Sequence, residues 1–292
     1  MKKNLFTGSC VALATPFTES GVNFKKLEEL IEWHIKEGTD AILICGTTGE
    51  ASTMPDEEHM EVIRFAVNTI NKRVHVMAGA GSNDTRHAVE LSQFCEDAGA
   101  DSILTVTPYY NKTTQEGLYQ HFKVIAQSVK IPVVLYNVPS RTNLNIAPAT
   151  LKRLSEIENI AAVKECNLLQ AAEVFHLCGD NLDLYSGEDG NVLPLLALGG
   201  KGVISVLANV IPKDMHKMVQ AFFEGDLAAC RKIQIDTVPL EKAMFCETNP
   251  IPVKAAMNLM GMNAGPCRLP LVEISESGMA QLKKALKGYG LI

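Results

Sequence analysis

The chain has 292 residues, 47% of them hydrophobic, and a formal net charge of −6. That content suffices for a large α/β core and excludes a small stapled scaffold. The acidic balance, with no long basic run, offers no bulk attraction to nucleic acid or to an anionic membrane, so the expected partners are small molecules.

From the amino terminus, Met1-Lys2-Lys3 resembles the charged start of a leader, but Thr7, Gly8 and Ser9 interrupt the apolar stretch at once. No run approaches the roughly 18 apolar residues of a membrane span, so neither secretion nor insertion is expected. Short apolar runs then recur at Val11–Thr15, Ala41–Cys45, Val74–Ala78, Ser102–Thr107, Val133–Asn137, Ala161–Lys164, Leu182–Tyr185 and Val203–Leu207. Between them lie stretches with one-sided helical spacing, such as Leu27, Leu30, Ile31, His34 and Ile35, or Val62, Ile63, Ala66, Val67 and Ile70. Continuous apolar strands separated by helices predict a parallel sheet covered on both faces, and about eight such units predict a (β/α)8 TIM barrel rather than a doubly wound sheet. After Asn209 only helical patterns follow, opening near Pro212 and then spanning Leu227–Ala243, Pro250–Met260 and Ser277–Leu286. The predicted division is a catalytic barrel over 1–225 and a C-terminal helical extension over 226–292, packed as one unit because no low-complexity linker intervenes. The eight cysteines have no Cys-x-x-Cys spacing and read as reduced thiols of a cytoplasmic protein.

Barrel enzymes carry their chemistry at the carboxyl ends of the strands. The sixth strand ends in Lys164, directly after Ile160-Ala161-Ala162-Val163. An ammonium there must be paired, solvated in a cavity or discharged. With its pKa lowered from about 10.4 to roughly 7–8 it becomes a nucleophile for a carbonyl; the bland alternative is a lysine that reaches solvent or pairs with Glu165. Tyr136, one strand away, is placed to relay protons, although a strand tyrosine is more often core. Gly46-Thr47-Thr48-Gly49 can bring amides and hydroxyls to a small anion, or be an ordinary turn. Arg141 offers a planar fork for a carboxylate, or a surface ion pair. Glu188-Asp189 can act as acid and base but fits a solvated loop better. Glu57-Glu58-His59 fits a helix's solvated face better than a metal site, and no histidine pattern suggests a metal. The dinucleotide-like Gly79-Ala80-Gly81 lacks its third glycine, which Asp84 replaces.

Taken together, Gly46-Thr47-Thr48-Gly49-Glu50, Thr107-Pro108-Tyr109-Tyr110-Asn111, Tyr136-Asn137-Val138-Pro139-Ser140-Arg141-Thr142, Val163-Lys164-Glu165 and Asn249-Pro250-Ile251-Pro252-Val253-Lys254 resemble the dihydrodipicolinate synthase family over essentially the whole chain. The resemblance implies that Lys164 forms a Schiff base with pyruvate. It makes Tyr136, Thr47 and Tyr110 a proton relay, with Tyr110 supplied by a neighbouring subunit. Thr48 would hold the pyruvate carboxylate, Arg141 would hold that of L-aspartate 4-semialdehyde, and Gly187 and Ile204 would line the pocket. It also implies a homotetramer built as a dimer of dimers, no metal and no organic cofactor. A regulatory L-lysine site would map to Ala51, Ser52, Asp56, His59, Asn83, His87 and Tyr109. There Asp56 replaces a histidine and His87 a glutamate, so weak inhibition or none is expected. After Lys164-Glu165 the chain runs Cys166-Asn167-Leu168, about two residues shorter than the family's usual loop. The alternatives are a sister aldolase, such as N-acetylneuraminate lyase or a 2-keto-3-deoxy sugar acid aldolase, which usually lacks the arginine at 141, and a non-catalytic barrel that binds a keto acid or an amino acid.

Overall fold

The computed structural model describes residues 5–292, so Met1-Lys2-Lys3 lies outside the described residues. Eight parallel strands close a barrel in sequence order: β1 (Gly8–Ala12), β2 (Ala41–Ile44), β3 (His75–Gly79), β4 (Ser102–Val106), β5 (Val133–Asn137), β6 (Ile160–Glu165), β7 (Asp183–Ser186) and β8 (Gly202–Ser205). The first strand pairs with both β2 and β8, which leaves no free edge. It occupies Gly8–Ala12 rather than the expected Val11–Thr15. The polar Ser9 hides it in the sequence, yet Ser9 is buried and its amide donates to Asp40 Oδ2 at 2.7 Å.

Helices α1 (Phe24–Lys36), α2 (Asp56–Ile70), α3 (Thr85–Asp97), α4 (Gln115–Gln127), α5 (Pro148–Ser155), α6 (Ala171–Cys178), α7 (Val192–Ala197) and α8 (Pro212–Phe223) cover the outside. Side-chain caps start several of them, as where Asp84 accepts from the amide of Arg86 and Thr114 from that of Gly117. Four more helices follow: α9 (Leu227–Asp236), α10 (Val238–Met244), α11 (Ile251–Leu259) and α12 (Glu276–Tyr289). The single helix expected over Leu227–Ala243 is in fact α9 and α10, which meet at Thr237. Pro239 has no N–H to continue a helix but suits the first turn of a new one.

Alternation along the strands sorts the side chains into two cores. Val11, Ile42, Val76, Ile103, Val133, Leu135, Val163, Leu184 and Val203 face the helices. Cys10, Leu43, Met77, Leu104, Val134, Tyr136, Ala162, Tyr185 and Ile204 fill the barrel. Phe6 stacks on Tyr185 with ring centroids 4.4 Å apart, and the Tyr185 hydroxyl donates to the Phe6 carbonyl at 2.6 Å.

One long-range contact ties the C-terminal helices to the barrel mouth. Glu50, just beyond β2, accepts from Lys254 Nζ of α11 at 2.8 Å and from the Arg268 amide at 2.8 Å. Both side chains of the ion pair are essentially inaccessible, at 1% and 2% exposure. The Phe17 ring is shared by the two cations, 4.4 Å from Lys254 Nζ and 4.0 Å from the Arg268 guanidinium. Breaking such a pair leaves an uncompensated buried charge, which costs about 3–5 kcal/mol. Lys254→Ala should therefore lower unfolding stability by about that amount in urea titrations, and Glu50→Gln/Lys254→Met should recover part of it. A loss under about 1 kcal/mol for the single variant would show that the pair does not clamp the fold.

Candidate active site

Parity decides the chemistry of β6. Ala162 and Lys164 point into the barrel, whereas Val163 and Glu165 point toward the helices. Glu165 therefore does not pair with Lys164. Its Oε1 accepts from Asn137 Nδ2 at 2.8 Å and from the Asn167 amide at 2.7 Å, and its Oε2 accepts from Gln170 Nε2 at 2.9 Å. Burial, partly offset by these donors, pushes its carboxyl up to about 7. Among the described residues no carboxylate forms an ion pair with Lys164, which is 5% exposed. Desolvation holds its amine below the ordinary lysine range, while Asp189 opposes that shift and Arg141 adds to it.

Tyr136 is in register with Lys164 across β5 and β6, and Lys164 Nζ sits 4.4 Å from the centroid of its ring. Burial drives the phenol far above its usual range, so it stays protonated, and a polar contact from Thr47 eases its ionisation. Thr48 is buried, and its Oγ1 accepts from Asn249 Nδ2 at 2.9 Å. Arg141 lies on the single turn Pro139–Thr142 and donates to the Asn249 carbonyl at 3.2 Å. It forms no ion pair among the described residues.

A cavity of about 500 Å³ brings together Thr47, Thr48, Tyr136, Arg141, Lys164 and Gly187. Ile204 is buried inside the barrel but is not part of the cavity's lining. Cys166, Glu241, Phe245 and Asn249, to which the sequence assigned no role in the pocket, also line the cavity, as does Glu188, one of the pair of carboxylates that could act as acid and base. Asp189 corrects the solvated-loop reading: it is 2% exposed and accepts from the amides of Val206 and Leu207 at 3.1 and 3.0 Å. Glu188, beside it, does remain exposed.

A second cavity, of about 490 Å³, shares Thr47, Tyr136 and Arg141 with the first and extends to Ala51, Ser52, Asp56, His59, His87 and Tyr109. Asn83 joins from outside by donating to the Tyr109 carbonyl at 3.2 Å. His59 is not on a solvated face: it is buried, and its Nε2 bonds to the Gly79 carbonyl at 2.9 Å. Asp56 and His87 meet there, with Asp56 Oδ1 3.0 Å from His87 Nε2. Tyr110 lines neither cavity; it is 92% exposed, with a left-handed φ of 66° and no hydroxyl partner among the described residues. Among the described residues no cluster of three or more potential metal ligands occurs, and no helix is long and apolar enough to cross a membrane.

Residues 5–289 match the Dihydrodipicolinate synthetase family. The chain is 63% identical over 292 residues, the full length of both proteins, to the 4-hydroxy-tetrahydrodipicolinate synthase of Acetivibrio thermocellus. It is also similar to a structure from Cyanidioschyzon merolae described as having lysine bound, at 38% identity and a TM-score of 0.96, covering 99% of this chain and 100% of the other. A variant described as monomeric is equally similar, at 38% identity and a TM-score of 0.96, covering 99% and 98%. The chain belongs to the dihydrodipicolinate synthetase family.

The depressed amine of Lys164 has a thermodynamic sign. Between its folded pKa and about 10.4 the folded chain binds fewer protons than the unfolded one, so stability rises with pH through that window. Below the window the buried charge is a full penalty. Lys164→Met should accordingly melt above the parent at neutral pH, by a margin that shrinks toward pH 10. A margin that grew with pH would contradict desolvation as the cause.

Proposed function

We propose that this member of the dihydrodipicolinate synthetase family works through an imine between pyruvate and Lys164. The activity is that of a 4-hydroxy-tetrahydrodipicolinate synthase, a lyase of the class I aldolase type that joins pyruvate and L-aspartate 4-semialdehyde on the diaminopimelate route to lysine. The family uses no external cofactor. The observation that carries the site assignment is an amine desolvated inside the barrel, 4.4 Å from the Tyr136 ring, at the wall of a cavity that also holds Thr47 and Arg141.

In this reading the neutral amine of Lys164 attacks the keto carbon of pyruvate and water leaves to form the imine. Tyr136, in contact with Thr47, shuttles the protons of that step and of enamine formation. Thr48, held by Asn249, binds the pyruvate carboxylate. The enamine carbon then attacks the aldehyde of the second substrate, whose carboxylate rests on the Arg141 fork. The substrate's amine displaces Lys164 as the ring closes. Arg141 on the cavity wall favours this reaction over a sugar acid aldolase, and the desolvated lysine disfavours a purely binding role.

Tyr110 enters the site from a neighbouring subunit of a dimer of dimers, a reading supported by its exposure and its strained left-handed backbone. A cytoplasmic location fits the eight cysteines, all of them free. The second cavity is a regulatory site that has lost its grip on L-lysine: Asp56, the acid left to hold an ammonium group, is already engaged by His87.

Borohydride with pyruvate should add one pyruvyl unit at Lys164, located by peptide mass; labelling elsewhere would reject the assignment. Arg141→Ala should leave that trapping nearly intact while lowering kcat/KM for the semialdehyde roughly 10- to 150-fold, the worth of one charge-assisted contact. Equal losses in both would make Arg141 a structural residue.

Millimolar L-lysine should inhibit weakly or not at all near pH 8, and sub-millimolar inhibition in steady-state assays would overturn this. A tetramer is expected under the same conditions, and a fully active monomer in the ultracentrifuge would remove Tyr110 from the mechanism.

A further inference from the structure

Behind the cavity, the carboxylate of Glu165 closes a ring of side-chain amides. Its oxygens accept from Asn137 Nδ2, the Asn167 amide and Gln170 Nε2. Asn137 Nδ2 also donates to Asn145 Oδ1 at 2.9 Å, and its Oδ1 accepts from the Ile146 amide at 3.0 Å. Asn145 Nδ2 donates to Gln170 Oε1 at 2.8 Å, and Gln170 Nε2 donates to the Ile146 carbonyl at 3.1 Å as well as to Glu165. The backbone of Ile146 thus pins the ring at both ends, its N–H on Asn137 and its C=O on Gln170. No amide between them can reverse without setting donor against donor, so the group that closes the ring must accept at both oxygens. A carboxylate does so, whereas a carboxylic acid or an amide turns a hydrogen toward a donor. The ring also joins the segments that carry the proposed chemistry: Asn137 follows Tyr136, Glu165 follows Lys164, and residues 145 and 146 follow the turn Pro139–Thr142 that bears Arg141.

We propose that Glu165 is a positioning residue, whose ionised carboxylate gathers these amides and so holds Tyr136, Lys164 and the Arg141 turn in the arrangement in which they react. None of the groups that hold it is charged. Of its neighbours in the chain, Lys164 points into the barrel and the Cys166 thiol, pushed up to about 12 by burial, is neutral. On the flanking helices, Lys152 and Arg153 of α5 pair with Glu156 and Glu116, and Glu173 and His176 of α6 are exposed. On β7, Ser186 stands opposite Glu165, and Asp183 is opposite Ala162 at the far end. With neutral donors alone around a buried carboxyl raised to about 7, the proton that breaks the ring arrives near neutrality.

This inference rests on the imine reading of the site, and the experiment separates the two. The parent, Glu165→Gln and Gln170→Leu are compared for kcat across neutral pH at saturating pyruvate, where Lys164 is held as the imine and does not titrate as an amine. The parent should lose kcat toward acid with a midpoint near 7. Glu165→Gln should lack that limb, because an amide does not titrate, and its kcat should lie about ten- to a hundredfold below the parent's plateau, the cost of reacting groups displaced by up to about 1 Å. Gln170→Leu takes one donor from the anion and should move the limb about one pH unit toward alkali, which carries the test even where Glu165→Gln does not fold. Melting should run against activity: the folded chain holds this proton more tightly than the unfolded one, so the parent loses stability relative to Glu165→Gln as pH rises from about 4.3 to 7. A folded Glu165→Gln with the parent's kcat and acid limb, an unmoved limb in Gln170→Leu, or a melting difference constant with pH would each overturn the role of Glu165 while pyruvate trapping at Lys164 stood. If borohydride failed to label Lys164 in the parent, the imine reading would fall, and this inference with it.

Discussion

Everything at the mouth of this barrel depends on the two-residue alternation of its strands. One face of each strand must fill the barrel and the other must meet the helices, so a single peptide step separates a reacting group from a structural one. On β6 that step divides Lys164 from Glu165. The lysine is aimed into a closed apolar interior, where an amine is most easily discharged, and the glutamate is aimed outward, where Asn137, Asn167 and Gln170 satisfy it. A one-residue slip of register would exchange them, placing an acid at the reaction centre and an amine among the helices. The same parity sets Tyr136 beside Lys164 and Asn137 beside Glu165, so the proposed catalytic pair and the pair that supports it are consecutive rungs of one ladder.

What the sequence revealed follows from what is local. Apolar strands, one-sided helices and a lysine at the end of an apolar run are visible within a dozen residues, and each reappears in the structure with its ends displaced by a few positions at most. The polar strand opening at Gly8-Ser9 and the helix break at Thr237 were less visible, although Pro239 was a usable signal for the second. His59 was misread because Glu57 and Glu58 precede it, yet it continues the buried stripe of Val62, Ile63 and Ala66 and that spacing placed it inward.

The contacts that complete the site are another matter. Asn249 reaches Thr48 across 201 positions and Lys254 reaches Glu50 across 204. No periodicity spans such distances, and a buried ion pair has no compositional mark. Resemblance flagged both motifs without saying that they touch. Asp189 was read as solvated for the same reason, since the amides it caps belong to the loop after the next strand.

The clamp between Glu50 and Lys254 also orders events in time. A nascent chain carries all eight strands once Ser205 has been made, before Asn249 and Lys254 exist. Until then Glu50 has neither Lys254 nor the Arg268 amide, and Thr48 lacks the Asn249 amide that donates to it. The loop proposed to receive the keto acid carboxylate is therefore completed only by residues 249 to 268. Glu241, Phe245 and Asn249, which wall the cavity beside Lys164, also follow the last strand, so the pocket around the amine is finished only as the last helices dock.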